Sequence, residues 1–131
     1  MAIELDVMAA VLYLARHDPH WQPRPYWMLR RCVVPYVQAR QFVLLGSDGE
    51  PGAFAAWAKA RADGSQPWRE QRYLPSAMEI AGEGEACVTE IIAPPAQRSR
   101  VLEEVARHLG LPRAPAWIER DAERRVLAVH E

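Results

Sequence analysis

The stretch 86–109 constrains this chain most. It opens on ACVTEII, a β-branched run that predicts a central strand with one charge, Glu90, embedded in it. Pro94-Pro95 closes the strand. QRSRVLEEVARHL follows over 97–109, with Val101, Leu102, Val105 and Leu109 on one helical face, and Gly110 supplies the stop. A strand, a proline break and an amphipathic helix in direct succession call for a layered fold in which helix covers sheet.

The rest of the chain supplies both kinds of layer. Residues 5–16 put Leu5, Met8, Leu12 and Ala15 at helical spacing, which predicts an amphipathic helix. The segment DPHWQPRP is no helix, because its prolines fix φ and restrict their neighbours. Residues 25–32, PYWMLRRC, allow a short helix with Pro25 near its first turn, and Pro35 is expected to end it. Two apolar runs, 41–46 and 52–58, flank Ser47-Asp48-Gly49-Glu50-Pro51, where Asp-Gly signals a hairpin. Residues 67–80 read as a helix interrupted at Pro75, and APAWIER and RRVLAVH as two final strands. The order is helix, helix, hairpin, helix, strand, helix, hairpin. It predicts an α/β (α+β) protein, a mixed sheet flanked by helices, formed by residues 1–131 as a single domain.

Composition narrows the function classes. Sixteen basic and seventeen acidic residues nearly cancel, so bulk charge gives no sign of a nucleic-acid partner. Fifteen of the sixteen bases are Arg, with Lys59 the exception; a guanidinium fork suits phosphate and carboxylate contacts, although codon usage is the plainer explanation of the bias. Cys32 and Cys87 match no metal spacing and predict buried thiols in a reducing compartment. The apolar run VMAAVLYLA is too short to span a bilayer, and two acids precede it where a signal peptide has bases. The expected location is the cytoplasm.

Among residues able to carry chemistry, His20 stands in a Pro- and Trp-rich loop just before the sheet. Imidazole changes charge nearest neutral pH, which suits proton transfer, but a loop histidine is also a common surface residue. Glu90 must be paired, face a cleft or point to water from a strand edge, because a charge within a central strand is otherwise costly. His17 and His20 do not make a metal pair: Pro19 breaks the helix they would need and no third ligand is evident, so no metal is expected. His108, in a helical last turn, and His130 read as structural or surface residues. The five tryptophans fill a core or line a groove.

Taken together, these residues resemble the toxin-activating lysine-acyltransferases, the family that matures haemolysin-type RTX toxins. His20, Trp21 and Pro23 look like the family's histidine followed closely by Trp-Pro. Val34-Pro35, Gln38-Ala39 and Gln41, then Leu44-Leu45, Asp48, Pro51 and Trp57-Ala58, follow in the family's order. Glu90-Ile91-Ile92-Ala93-Pro94 resembles its Asp-x-Ile-Ala-Pro motif with glutamate for aspartate. Ile118, Arg120 and Asp121 lie close to its Ile-Arg-Val-Asp. The strand–Pro–helix passage resembles the cofactor unit of the N-acetyltransferase fold, and an N-acetyltransferase-like sheet is what the resemblance implies.

It implies, too, transfer of a fatty acyl group from acyl carrier protein, as co-substrate with no bound cofactor, to the ε-amino group of an internal lysine of an RTX-type protoxin. His20 would be the general base, or would itself carry the acyl group, and Glu90 its acidic partner. The turn at Gln97-Arg98-Ser99-Arg100-Val101 lacks the glycines that cradle coenzyme A in acetyltransferases. Arg98 and Arg100 there would meet the carrier's phosphopantetheine phosphate or its acidic surface, unless they are solvated helix charges. Arg30 and Arg31 offer the carrier similar contacts. A homodimer paired through an edge strand fits the family. A catalytically silent carrier-binding adaptor and an acyltransferase acting on a small amine metabolite are the alternatives.

Overall fold

The computed structural model describes residues 2–47, 50–60, 80, 84–120 and 126–130. Helix α1 spans Ala2–Ala15 and α2 spans Tyr26–Ala39. Strands β1 (Phe42–Ser47) and β2 (Glu50–Ala60) form the expected hairpin, and β3 is Glu85–Ile92. A 3₁₀ turn (Pro95–Gln97) leads into α3 (Arg98–Leu109), and β4 (Ala116–Arg120) and β5 (Val126–His130) complete the order. The strands form one sheet in the order β1-β2-β3-β4-β5. Only β3 and β4 run parallel among these neighbours; the other pairs are antiparallel. The class is α+β, a mixed sheet covered by helices, as the sequence predicts. The helix expected over 67–80 and the turn at Asp48-Gly49 lie outside the described residues, Ile80 excepted.

The sheet is packed on both sides. Val7, Met8, Val11 and Leu14 of α1 and Leu29, Val33 and Tyr36 of α2 meet Phe54, Ala56, Ala58, Cys87 and Ile92. On the opposite face Val101, Leu102 and Val105 of α3 meet Val43, Ala53, Ala55, Trp57 and Val88. Residues 53–58 of β2 are therefore buried throughout, which is why they read as an unbroken apolar run and not as an alternation. Cys32 and Cys87 are buried thiols. Among the described residues no helix is long and apolar enough to cross a membrane.

Two expectations are corrected. The face of α1 that meets the core is Val7, Met8, Val11, Leu14 and Ala15, while Leu12 is 40% exposed. Both stripes have helical spacing, and only the sheet selects between them. Pro35 does not end the second helix. The buried stripe Leu29, Cys32, Val33, Tyr36, Val37 continues across it to Ala39. A proline inside a helix costs about 3 kcal/mol, and burying two large side chains beyond it returns roughly 1.5–3 kcal/mol each. The helix stops instead at Arg40, whose φ of 57° is left-handed and whose N–H bonds back to α2 carbonyls.

Gly110 caps α3 in the same way with φ 68°, and a Cβ there would meet nothing within 4 Å. The two caps should therefore respond with opposite signs. Gly110→Ala should destabilise by about 1 kcal/mol, from backbone strain alone, and Arg40→Gly should be neutral or stabilise by up to about 1 kcal/mol. Chemical denaturation of both variants measures this; equal signs would refute it.

Candidate active site

The parallel pairing of β3 with β4 covers only Cys87 with Ala116 and Val88 with Trp117. Beyond those rungs a cavity of about 40 Å3, open to the surface, lies between the two strands. Thr89, Glu90 and Ile91 of β3 line one side, and Trp117, Ile118, Glu119 and Arg120 of β4 the other. His20 and Trp21, from the turn between α1 and α2, and Arg98, the first residue of α3, close it. Clefts at the carboxyl ends of parallel strands are habitual binding sites, because the strand ends present side chains and backbone groups that no neighbour occupies. At about 10–15 Å3 per water the space takes roughly three, enough for reacting groups and too little for a long chain.

A break in the sheet register aims Glu90. Ala56 of β2 faces Glu90, but the next residue, Trp57, faces Val88, so Thr89 is an extra residue on β3. Strict alternation from Val88 would turn Glu90 toward α3. The bulge places it instead on the side of Ala56, which packs with α1 and α2, and Ile91 resumes the α3 side. Thr89 turns the same way, and its hydroxyl shares a buried hydrogen bond with the hydroxyl of Tyr36 on α2. Glu90 is 2% exposed and Arg120 7%. Burial, followed by the nearby charge of Glu90, holds the Tyr36 phenol well above the usual tyrosine range, while Thr89 and Arg120 act the other way. Tyr36 is therefore a neutral hydroxyl beside the acid.

The turn carrying His20 is fixed from both ends. The His20 N–H donates to Oδ1 of Asp18 at 2.9 Å, and its carbonyl accepts from Nε of Arg24 at 2.7 Å. Asp18 is fully buried; its Oδ2 accepts the N–H of Ala93 at 3.1 Å, and Oδ1 lies 3.8 Å from Nη2 of Arg98.

His20, Glu90 and Arg98 thus share one cavity. Arg100 is not part of its lining: it is exposed and bonds to Oε1 of Gln97 at 3.2 Å. Arg30 and Arg31 are exposed on α2, next to Trp27 at 59% exposure. Trp21 and Trp57 are buried. Trp117 stacks on His130 with ring centroids 4.1 Å apart, and His130 Nε2 is 2.9 Å from Oε1 of Glu119 on the cavity wall. His17 lies against Tyr13, and His108 against Trp57. Sequence reasoning passed over Asp18 and Tyr36. The Asp-Pro pair ahead of the turn was a signal for the first, since an aspartate commonly accepts the amide two residues on. Tyr36 had none, because its partner is 53 residues away.

The sequence matches the RTX toxin acyltransferase family over residues 2–130, and the chain belongs to that family. It is an enzyme that transfers acyl groups, in toxin activation. No curated protein matches.

Tyr36→Phe should cost about 1–3 kcal/mol, because it leaves the Thr89 hydroxyl buried without its partner. It should also change alkaline behaviour. The Tyr36 phenol lies above its ordinary 10.0 in the folded protein, so its contribution is full below about pH 10 and is lost as pH rises from there toward the folded value. Stability measured from pH 8 to 11 should fall less steeply for Tyr36→Phe than for the wild type; parallel curves would refute this.

Proposed function

We propose that this chain moves a fatty acyl group from acyl carrier protein to the ε-amino group of an internal lysine in an RTX-type protoxin, with His20 as general base and Glu90 as its acidic partner. The observation that carries the reading is that both residues line one small cavity where the parallel strands β3 and β4 part. A lysine ammonium, with a reference pKa of about 10.4, cannot attack a thioester until a base takes its proton. In this reading neutral His20 accepts that proton. The amine nitrogen then attacks the thioester carbonyl carbon, and the C–S bond breaks as the tetrahedral intermediate collapses. The imidazolium gives its proton to the departing sulfur of the carrier's thiol, and the neutral imidazole takes the remaining excess proton from nitrogen, leaving the amide. Glu90 holds the imidazole in orientation and stabilises the imidazolium that forms.

The cavity's size suits this division of labour. It admits the amine and the thioester, and the fatty chain would lie outside it. Arg98 stands where a phosphopantetheine phosphate would approach, while Arg100 would meet the carrier's acidic surface from the exposed side of α3. The reaction consumes a donor made elsewhere and needs no resident cofactor. The N-acetyltransferase-like fold belongs to the same proposal, and a mixed sheet whose described strands include one short parallel pairing supports it. Residues 1–131 act in it as one domain, in the cytoplasm where acylated carrier is made.

Labelled acyl–acyl carrier protein incubated with a protoxin fragment tests the reading. His20→Ala should lower transfer by roughly 10²–10⁴-fold. Glu90→Asp should keep transfer within about tenfold, and Glu90→Gln should lose more. Transfer that ignores His20→Ala would overturn the base assignment, and an inactive but folded Glu90→Asp variant the acidic one. Carrier binding without transfer would identify an adaptor, and label on small amines alone a metabolite acyltransferase.

A further inference from the structure

Three segments converge on the cavity from distant parts of the chain: the His20 turn, the end of β3 and the start of α3. Asp18 touches all three and does not itself line the cavity. Its side chain is 0% exposed. A carboxylate withdrawn from water is costly unless donors and a counter-charge meet it. Here two backbone amides, of His20 at 2.9 Å and of Ala93 at 3.1 Å, supply the donors. The Arg98 guanidinium, at 3.8 Å, supplies the charge. The Asp18 carbonyl accepts from Trp21 at 3.0 Å and Gln22 at 2.8 Å, so the backbone of the same residue shapes the turn as well. Ala93 is three residues beyond Glu90.

We propose that Asp18 is a positioning residue. It fixes the interval between the backbone bearing His20 and the strand bearing Glu90, with the Arg98 guanidinium as its counter-charge. It acts only through these neighbours. A shift of about 1 Å between reacting groups can cost on the order of 100-fold in rate, so a tie of this kind carries catalytic weight without touching substrate. The proposal rests on the acyl-transfer reading above for its kinetic arm and on geometry alone for its structural arm.

Asp18→Asn tests it. The variant keeps the shape but removes the charge and turns one acceptor into a donor. In the transfer assay kcat should fall about 10–100-fold, with KM for acyl carrier protein changed by less than about twofold. In a His20→Ala background the same change should have no further effect, since the positioned group is gone. Hydrogen exchange at the amides of His20 and Ala93 should quicken, while amides within α2 keep their rates. An unchanged kcat in the folded variant, or a full additional loss in the His20→Ala background, would overturn the proposal. Should the wild type transfer no label, the acyl-transfer reading fails by itself, and amide exchange decides for Asp18. Should Asp18→Asn not fold, the wild type decides: its His20 amide, though in a turn, should exchange at least about 100-fold slower than a free peptide, and free exchange would overturn the tie.

Discussion

The extra residue in β3 is the constraint on which the site depends. A glutamate in a strand covered on both faces has no cheap position: one face is filled by α3, the other by α1 and α2. The bulge at Thr89 resolves this by turning Glu90 away from α3 at the level where β3 parts from β4. The same displacement gives the Thr89 hydroxyl to Tyr36, so the bulge is fastened to α2 by a buried hydrogen bond. Without the register break, the charge would sit among Val88, Val101 and Val105. The apolar α3 interface, the acid in the cavity and the neutral phenol beside it all follow from one inserted residue.

A second organisation depends on burial of charge. Asp18, Glu90 and Arg120 are all less than a tenth exposed, in a protein whose core is otherwise apolar apart from Thr89 among the described residues. All lie at or beside this cavity, where strands part and a turn and a helix start meet. Charges withdrawn from water carry long-range influence that surface charges lack. The apolar faces hold the layers together, and the polar junction between β3, β4 and the His20 turn is the candidate active site of this member of an acyltransferase family.

Much of the fold was legible because its elements obey single periods. The stripe of α3 and its glycine stop, the β1–β2 hairpin and the central β3 follow from spacing and turn residues alone. The readings that failed were those in which two answers satisfied the same local rule. Leu12 and Val11 both extend a helical stripe on α1, and Pro35 marks both a helix end and a tolerable interruption. Each was decided by what the sheet needed covered.

The sequence by itself determined the layers, the family and the candidates His20, Glu90, Arg98 and Arg100, because residue type, order and period are local properties. Tertiary structure alone decided that His20, Glu90 and Arg98 border one cavity while Arg100 faces away, and that Asp18 and Tyr36 stand behind them. Those facts depend on a register slip between two strands and on contacts spanning 53 and 75 residues. No local pattern encodes such distances, since they arise only when burial forces separate segments to share their polar partners.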